Sequence, residues 1–596
     1  MKADTHNLTE IFFAPTQYLI PIFQRPYVWG EDPNWISLWE DLRILVETRI
    51  AANEVGPGPI GPPAQHFLGV AVLELDTDRS RAARVQCRRL IDGQQRFTTL
   101  QILVRALQHL MLSRDMHAEA QLLANLTENP AVMVQRPADS LKVLPGAADR
   151  GAFADLMRAA DISKSPPSIF TAAYNFFYKA MAEWADTAGV GDISEARLVE
   201  LSNTLTTAVR IVTLDLDQGD NPQVIFETLN SRGTALNAAD LVKNFVFQEV
   251  PESEAELLYA EFWAVFETAD WRRVQRQGRL YRPRVDLFLF HWLTMTGKAE
   301  ISATQIFPAF VSAVRRSAQP ISAVLQGIRR NADLYDSFDR HPFHTLEGQF
   351  FYRLRLMDTS TMMPVLLHLL GILNGEEASV RRQRALRALE SWLVRRMLCR
   401  LQVRNYNHSA IDILNALDGR DEDADEALID YLKASSTDTE RWPDDSEMEL
   451  ALLTMPAYTS ITRARVRFVL EAIEWRLRTH QVENLAALDG RQLTIEHILP
   501  QDWSRWDAEM PDAATVTRRQ ALVHTLGNLT LLTAYLNPSV SNDPWVKKKP
   551  GIENKSLLML SKGVLSQHVW DEDAIVARTR YLVDLILEIW PGPNSF

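Results

Sequence analysis

The sequence predicts an α+β protein in three parts: a mixed α/β part over residues 1–250, a mainly helical part over 251–450, and a C-terminal part over 451–596 built on two strands and a helix. Three patterns support this prediction. Strand-like and helical apolar patterns alternate up to residue 250, nearly every window from 251 to 450 has helical periodicity, and two short apolar runs stand near residues 495 and 530. The 46% hydrophobic content is enough for sizeable cores.

The clearest pattern in the N-terminal part is a strand, a glycine and a helix in direct succession. Residues 85–92 alternate as a strand does, the chain breaks at Gly93, and residues 94–104 carry apolar side chains at helical spacing. The first amides of a helix point at a bound anion, and Arg96 would add a bidentate phosphate contact. The predicted anion site is therefore the turn at Gly93, the first amides of the helix and Arg96.

A second N-terminal segment combines aromatic and polar side chains. Phe23, Tyr27 and Trp29 stand beside Gln24 and Arg25, as they would in a pocket that stacks a base. The alternative is that the aromatic residues belong to the core, which is the commoner use of such a stripe. Further along, residues 209–216 predict another strand, and long helical patterns fill most of the interval from 100 to 205.

Arginines cluster in the middle of the chain although the net charge is −13. A negative protein is not a typical nucleic-acid binder, but local basic clusters can follow a phosphate backbone. Candidate DNA contacts are therefore Arg272, Arg273, Arg396 and, near the C-terminus, Lys547. The arginines are equally well explained as solvated helix faces or as partners of acidic residues at 418–426 and 444–449. The acidic stretch 418–447 is itself interpreted as a flexible link.

The C-terminal part contains an adjacent carboxylate and imidazole at the end of a predicted strand. The apolar lead-in 493–495 predicts a strand that presents Glu496 and His497, and the run 526–533 would pair back on it. Asn537 then suits a helix N-cap, with Pro538 in the first turn. A carboxylate holds a hard cation, and a neutral imidazole takes a proton from water near pH 7. A Glu-His pair standing alone would usually be a solvated pair.

At these residues the chain resembles the HNH, or His-Me finger, nucleases. The run Glu-His-Ile-Leu-Pro-Gln from Glu496, with Asn528 and Asn537, is similar to the ββα-metal core also found in the HNH domain of CRISPR effector nucleases. The resemblance implies that the catalytic residues are His497, as general base, and Asn528, which braces the loop. Glu496 and Asn537 would hold one Mg²⁺ or Mn²⁺. A third histidine is not evident, which leaves Asn537 or Asn542 as the last metal ligand.

Both ends of the chain resemble one family. Several N-terminal segments resemble the ParB-like N-terminal domain of GmrSD-type restriction enzymes. They are the strand-glycine-helix motif, the runs at 67–75 and 226–234, Leu236, and the Asp240-Leu241 pair with Lys243. This resemblance implies a ParB-like, nucleotide-binding sensor domain over 1–250, a helical connecting region over 251–450 and an HNH nuclease domain over 451–596. The nucleotide-binding residues would be Asp92, Gly93, Gln94, Gln95, Arg96, Gln24 and Arg25.

The resemblance also implies a function in defence against phage. The protein would be a type IV restriction enzyme that cuts modified phage DNA under control of a nucleoside triphosphate, which is GTP, ATP or CTP. A homodimer would suit paired cuts from one nuclease site per chain. The alternative is a nucleotide-switched DNA-binding protein or abortive-infection effector without modification-specific cleavage.

Cysteine content and the N-terminal sequence bear on location. The chain has two cysteines, Cys87 and Cys399, and so has no disulfide framework and no cysteine-rich zinc site. Its first residues form no apolar signal segment, and its apolar runs are too short to span a membrane. We therefore expect a cytoplasmic protein with no membrane partner.

Overall fold

The structure of the protein is a computed structural model. It describes residues 2–21, 24, 26–55, 64–77, 80, 85–187, 191–217, 237–277, 280–302, 304–478, 493–506, 512–537 and 542–596. The chain divides into two compact units: unit 1 is Met1–Glu267 with Pro320–Ser322, and unit 2 is Thr268–Gln319 with Ala323–Phe596. The three-part division at residues 250 and 450 stays a prediction, because compactness alone does not delimit functional domains.

The described residues of unit 1 form a mixed sheet. Its strands are β1 (Lys2–Asn7), β2 (Thr16–Leu19), β3 (His66–Leu75), β4 (Gln86–Asp92), β5 (Val143–Leu144) and β6 (Val209–Leu216). They lie in the order β1-β6-β3-β4-β2-β5, with antiparallel pairing at β1–β6 and β3–β4 and parallel pairing elsewhere. The strands predicted at 85–92 and 209–216 are thereby confirmed.

Unit 1 has nine α-helices among its described residues, and the first seven share one apolar core with the sheet. Their bounds are α1 (Leu8–Phe12), α2 (Ile36–Val55), α3 (Gln94–Leu112), α4 (His117–Thr127), α5 (Ala147–Arg158), α6 (Ile169–Asp186), α7 (Asp192–Thr207), α8 (Ala238–Gln248) and α9 (Glu252–Leu258). Leu73 and Leu90 of the sheet belong to the same buried cluster as Phe97, Leu100 and Leu107 of α3. Helix α3 is buried on nearly every side, and its buried residues include polar ones such as Gln101 and Arg105.

The described residues of unit 2 are mainly helical, in agreement with the predicted α+β class. Their helices are α10 (Ala269–Arg272), α11 (Arg284–Gly297), α12 (Ile306–Ser317), α13 (Ile321–Ser337, which starts in unit 1), α14 (Leu346–Met357), α15 (Met363–Ile372), α16 (Ser379–Leu398), α17 (Tyr406–Ala416), α18 (Ala424–Ala434), α19 (Asp445–Thr454), α20 (Ala457–Ser460), α21 (Arg463–Arg478), α22 (Ala513–Leu522), α23 (Trp545–Lys555), α24 (Met559–Lys562) and α25 (Glu572–Ile589). A short hairpin of β7 (Val274–Gln277) and β8 (Leu280–Pro283) precedes α11.

The acidic stretch at 418–447 is folded, so its interpretation as a flexible link is wrong. It contains helix α18, whose Asp425 is only 3% exposed and accepts hydrogen bonds from Arg381 (2.8 Å) and Arg384 (3.0 Å) of α16. Asp425 therefore has arginine partners in the fold. The composition of the stretch suggested a linker because Arg381 and Arg384 are distant from Asp425 in sequence.

A two-stranded antiparallel ribbon lies in the C-terminal part of unit 2. Strand β9 (Leu493–His497) pairs with β10 (Leu529–Thr533), and His497 lies opposite Leu529. The predicted pairing of the two apolar runs is confirmed. One buried cluster holds Leu529 and Leu531 with the helical core, and a second, smaller one holds Leu532 with Trp545 of α23 and Trp570. The ribbon is therefore packed on both faces, which fixes its register.

Candidate functional site

The β9–β10 ribbon carries the predicted carboxylate and imidazole into a buried environment. Glu496 and His497 are the last two residues of β9 and are 8% and 4% exposed. They are therefore not a solvated pair. Because successive side chains of a strand point to opposite faces, Glu496 and His497 meet different neighbours.

The imidazole of His497 contacts a second histidine that the sequence motif did not indicate. His497 Nε2 lies 3.2 Å from His524 Nδ1, at hydrogen-bond distance. The ring of Tyr458 packs edge-on against His497, with ring centroids 4.3 Å apart, and stacks on His524 at 5.7 Å. Since His524 lies between α22 and β10, and Tyr458 lies in α20, only the folded chain brings these rings together.

The surroundings of His497 favour its neutral form. Burial, with smaller contributions from the neighbouring His524, Lys548 and Arg463, lowers the pKa of His497 to about 3. Burial also lowers the pKa of His524, and Arg463 adds to this effect. A neutral imidazole is the form that accepts a proton, but a pKa this low also makes it a weak base, since a general base works best when its pKa is near the working pH.

Glu496 is held by a buried lysine of helix α23. Lys548 Nζ donates to Glu496 Oε1 and to the backbone oxygen of His497, each at 2.5 Å, and its side chain is fully buried. Burial raises the pKa of Glu496 and lowers that of Lys548, while the ion pair between them opposes both shifts. One ammonium group thus fixes the carboxylate and the backbone of the neighbouring histidine.

Asn528 braces the loop after β9, as the resemblance implied. Its Oδ1 accepts from Leu499 N (2.8 Å) and Trp570 Nε1 (3.0 Å), and its Nδ2 donates to the backbone oxygens of Leu499 (2.9 Å) and Val523 (2.8 Å). All the hydrogen-bonding groups of this fully buried amide are therefore used within the protein. The geometry therefore gives Asn528 a structural role, because none of its side-chain hydrogen-bonding groups remains available to a substrate.

Glu496 and Asn537 carry side-chain oxygens of the kind that a hard divalent cation takes. Asn537 Nδ2 donates to Thr494 Oγ1 at 2.8 Å, and its amide oxygen is the atom that would ligate a cation. Glu496 uses Oε1 for Lys548, which leaves Oε2 as its second oxygen. Carboxylate and amide oxygens are the ligands that Mg²⁺ and Mn²⁺ prefer.

The histidines and carboxylates of this region do not cluster further. Within the described ranges, no group of three or more His, Cys, Asp and Glu side chains is placed to hold a metal ion. Asn542, the other candidate ligand, has a left-handed backbone (φ 57°), and its carbonyl accepts from Trp506 Nε1 at 2.7 Å. Pro538, predicted in the first turn of the following helix, lies outside the described residues.

In unit 1, the strand-glycine-helix element forms as predicted. Gly93 joins β4 to α3 with φ of 100°, and a Cβ there would lie 3.1 Å from the Ala71 side chain, so glycine suits this turn. Arg96 donates to the backbone oxygen of Val70, and its guanidinium lies 3.6 Å from Asp92. Asp92 and Arg96 are about one-fifth exposed, so both side chains reach the surface.

Several other predicted nucleotide-binding residues contact the backbone of unit 1. Gln24 Nε2 donates to Ile91 O at 2.7 Å. Gln95 Oε1 accepts from Val28 N at 2.9 Å, and its Nε2 donates to Pro26 O at 3.1 Å. These two amides therefore hold the segment 26–28 against β4 and α3. Gln94 is also buried, and Arg25 lies outside the described residues.

Among the described aromatic residues of that segment, Tyr27 does not line an open stacking pocket, and Trp29 is half-buried. Tyr27 is 6% exposed, its hydroxyl is hydrogen-bonded to Thr99 (2.8 Å) and Trp35 (2.9 Å), and its ring stacks on Phe170. Tyr27 is thus a core residue, which is the alternative considered from the sequence. Phe23 lies outside the described residues, as do Leu236 and the motif at 226–234.

The predicted DNA contacts differ in exposure. Arg396 is fully buried and donates to the backbone oxygens of Gln402 (2.8 Å) and Thr439 (2.7 Å), which argues against a phosphate contact and for a structural role. Arg273 is about half exposed beside Asp270 (3.6 Å), and Arg272 is half-buried at the end of α10. Lys547, adjacent to Lys548 in α23, is exposed and lies 4.8 Å from the ring centre of Trp506.

Across the described part of the chain, no helix combines the length and the apolar character needed to cross a membrane.

The family model of the GmrSD restriction endonuclease N-terminal domain matches residues 8–247, a range that includes the strand-glycine-helix element. The model of the C-terminal domain of GmrSD restriction endonucleases matches residues 442–585 and includes the β9–β10 ribbon with Glu496, His497 and Asn528. No curated protein matches the chain. Because both domains of one family occur in order and together cover well over half of the residues, the chain belongs to the GmrSD-type restriction endonucleases.

Proposed function

We propose that this restriction endonuclease cleaves DNA by hydrolysis at the β9–β10 ribbon, with His497 as the general base. The observation that carries the proposal is the buried His497 that follows Glu496 at the end of β9, in surroundings that favour its neutral form. A general base contributes about 10²- to 10⁴-fold to a rate. His497 would take a proton from water, and the resulting hydroxide would attack the phosphorus. The bond from phosphorus to the leaving sugar oxygen would break, and that oxygen would take a proton from solvent.

Glu496 and Asn537 are the proposed ligands of one Mg²⁺ or Mn²⁺. When bound, such an ion stabilises negative charge on the phosphate and on the leaving oxygen. The buried Lys548 holds Glu496 in place, and the amide hydrogen bond from Asn537 to Thr494 orients the Asn537 side chain. Both ligands are thus positioned by the fold before a cation arrives, which supports this assignment.

The proposed regulator is a nucleoside triphosphate bound at Asp92–Arg96 in unit 1. Backbone amides at the start of a helix and a guanidinium such as that of Arg96 are groups suited to phosphate. The hydrogen bonds of Gln24 and Gln95 connect this turn to the segment 26–28, so these residues would position the site. GTP, ATP and CTP are all compatible with recognition through phosphates.

The proposed substrate is modified phage DNA, which makes the protein a type IV restriction enzyme. An endonuclease without discrimination would also cut the host genome, so specificity has to come from a modification that host DNA lacks. Lys547 and Arg273 are exposed cations suited to phosphate contacts, which position DNA without reading its sequence. Such contacts weaken with salt.

The test compares phage genomes that differ only in their modification. Cleavage is measured with Mg²⁺ or Mn²⁺, with and without each nucleotide, on DNA with modified cytosines, glucosylated cytosines or a sulfur-substituted backbone. We expect nucleotide-dependent cleavage of one modified genome and none of its unmodified counterpart at moderate salt. Equal cleavage of both members of every pair would contradict the dependence on modification.

A further inference from the structure

We propose that His524 is a positioning residue that fixes the tautomer of His497, so that Nδ1 of His497 is the nitrogen that accepts the proton from water. The inference rests on the proposed function, since it concerns the same general base. It assigns a role to a residue outside the sequence motif. The supporting observations are the contact between the two imidazoles and the way in which neighbouring groups fix the His524 ring.

The two histidines share one hydrogen-bonding proton. His497 Nε2 and His524 Nδ1 lie 3.2 Å apart, and a neutral imidazole has one N–H donor and one acceptor nitrogen. If His497 donates from Nε2, its Nδ1 carries a free lone pair. If His524 donates instead, His497 has its proton on Nδ1 and its acceptor nitrogen is occupied. Only the arrangement in which His497 donates from Nε2 leaves its Nδ1 free to accept a proton.

The remaining contacts of His497 are consistent with the first arrangement. In the part of the chain that the structure describes, Nε2 is the imidazole nitrogen with a hydrogen-bond partner, and that partner is His524. Nδ1 is then the nitrogen left for water. When Nδ1 takes the proton, the water O–H bond breaks, hydroxide is released towards the phosphorus, and His497 continues to donate from Nε2 to His524.

The His524 ring is held in place from its own side. Tyr458 stacks on it with an angle of 10° between the planes, and Tyr458 N donates to His524 O at 3.1 Å. The guanidinium of Arg463 in turn lies 3.2 Å from the centre of the Tyr458 ring. Ring stacking and a backbone hydrogen bond therefore hold Nδ1 of His524 opposite His497. Rigid support of this kind is what a positioning residue supplies.

The test compares two substitutions in the full-length protein that separate hydrogen bonding from packing. His524→Phe keeps an aromatic ring against Tyr458 but has no acceptor. His524→Asn loses the ring but can place an amide oxygen near the position of Nδ1. With single-turnover cleavage as the measurement, we expect His524→Phe to lower the rate about 10- to 100-fold, as is typical when the partner of a functional histidine is lost. His524→Asn should recover most of that loss.

Two further measurements separate positioning from a purely structural role. The affinity for the DNA substrate and the thermal unfolding midpoint should be nearly the same in His524→Phe and the parent, because only the chemical step depends on the tautomer. Nitrogen-15 NMR of histidine-labelled parent protein, with the His497 signals assigned by their loss in His497→Ala, should show the proton on Nε2. A proton on Nδ1 of His497 would overturn the inference whatever the variants do.

The outcomes also distinguish this inference from the proposed function. If His497→Ala is inactive while His524→Phe cleaves at the parental rate, His497 remains the base and the role of His524 is wrong. The role of His524 is also wrong if His524→Asn is as slow as His524→Phe. Parental activity in His497→Ala would overturn both the assigned base and the inference.

Discussion

At the residue scale, the candidate site depends on charged and titratable groups that the fold has removed from water. Glu496 and Lys548 are 8% and 0% exposed, and each is the described ion-pair partner of the other. A buried ion pair adds little to stability compared with an apolar pair of the same shape, but removal of one partner leaves an uncompensated charge. Lys548 is thus needed to compensate the buried charge of Glu496.

We expect Lys548→Met to destabilise unit 2 by about 3 to 5 kcal/mol, because it leaves the buried Glu496 carboxylate without its ammonium partner. Urea-induced unfolding without metal is the measurement. Lys547→Met is the matched control, since that exposed lysine faces the Trp506 ring and should contribute about 0.5 to 1 kcal/mol. In the double variant Glu496→Gln/Lys548→Met, part of the loss should be recovered. Equal stability of the two lysine variants would contradict this account.

The sequence indicated Glu496, His497 and Asn528 because they are adjacent or follow a recognisable order along the chain. It did not indicate Tyr458, His524 or Lys548, although these residues determine the environment of the base and the carboxylate. Each lies on a different helix or loop, and its relation to His497 arises only from tertiary packing. A lone histidine or lysine in a helical pattern carries no local signal of such a partnership.

At the element scale, the β9–β10 ribbon is held against helix α25 by a close backbone approach. A Cβ on Gly527 would overlap Thr579 Oγ1 and the backbone oxygen of Ile575. Arg578 of the same helix donates to the backbone oxygens of Gly527 and Leu529, each at 2.7 Å. The glycine before Asn528 is therefore a requirement of packing, which connects the helix to the loop that Asn528 braces.

We expect Gly527→Ala to destabilise unit 2 by about 1 to 3 kcal/mol, the usual effect of added volume in a well-packed site. Gly563→Ala is the control, because the nearest atom to a Cβ there is Met559 O at 3.6 Å, an ordinary contact. The free energy of unfolding of Gly563→Ala should stay within about 0.5 kcal/mol of the parental value. Thermal unfolding measures both, and similar midpoints for the two variants would show that the approach of α25 is not tight.

We expect Arg96→Ala to weaken nucleotide binding in unit 1, because it removes a charge-assisted phosphate contact worth about 1.5 to 3 kcal/mol. The affinity should fall about 10- to 150-fold, measured by calorimetry with GTP, ATP and CTP. Arg43→Ala is the control, since Arg43 is similarly exposed and pairs with Glu40 and Glu47 of its own helix. Unchanged affinity for every nucleotide would leave the turn at Gly93 with a structural role alone.

The local elements were predictable where one chain segment determines them. The strand-glycine-helix at β4, Gly93 and α3 and the pairing of β9 with β10 follow from periodicity and turn chemistry in short windows. The acidic stretch at 418–447 was not predictable in this way. Its carboxylates indicated solvent, and only the arrangement of α16 and α18 reveals that arginines neutralise them.

At the scale of the whole molecule, much of the arginine content stabilises the interior of unit 2. Arg284, Arg395 and Arg396 are among the largest fully buried side chains, and Arg284 pairs with Asp270, Asp336 and Asp339. These three arginines are therefore not available to contact DNA, whereas Arg273 is about half exposed. Residue clusters along a sequence could suggest a DNA-binding surface but could not show which arginines face inwards.

Buried histidines should make the folded protein sensitive to acid. Burial lowers the pKa of His291 to about 3, whereas an unfolded histidine titrates near its ordinary value of about 6.5. Below that value the unfolded chain takes up a proton that the folded chain does not. This contribution to stability is therefore complete above pH 6.5 and is lost as the pH falls towards 3, at about 1.4 kcal/mol per pH unit within that window.

We expect the parent to lose about 2 kcal/mol more than His291→Phe when the pH is lowered from 7 to 5, because the variant lacks this proton linkage. Urea-induced unfolding at the two pH values measures the difference. His408→Phe is the control in the same unit, since His408 is exposed. An identical pH dependence of the parent and His291→Phe would show that His291 titrates normally in the folded state.

The most direct test of the account is the cleavage rate of His497→Ala under single-turnover conditions on a DNA that the parent cuts. Because His497 is assigned to the chemical step alone, we expect the rate to fall about 10²- to 10⁴-fold. The unfolding midpoint and the affinity of unit 1 for nucleotide should stay at parental values, which would show that the fold is intact. A His497→Ala protein that cleaves the same DNA at the parental rate would contradict the assignment of the β9–β10 ribbon as the catalytic site.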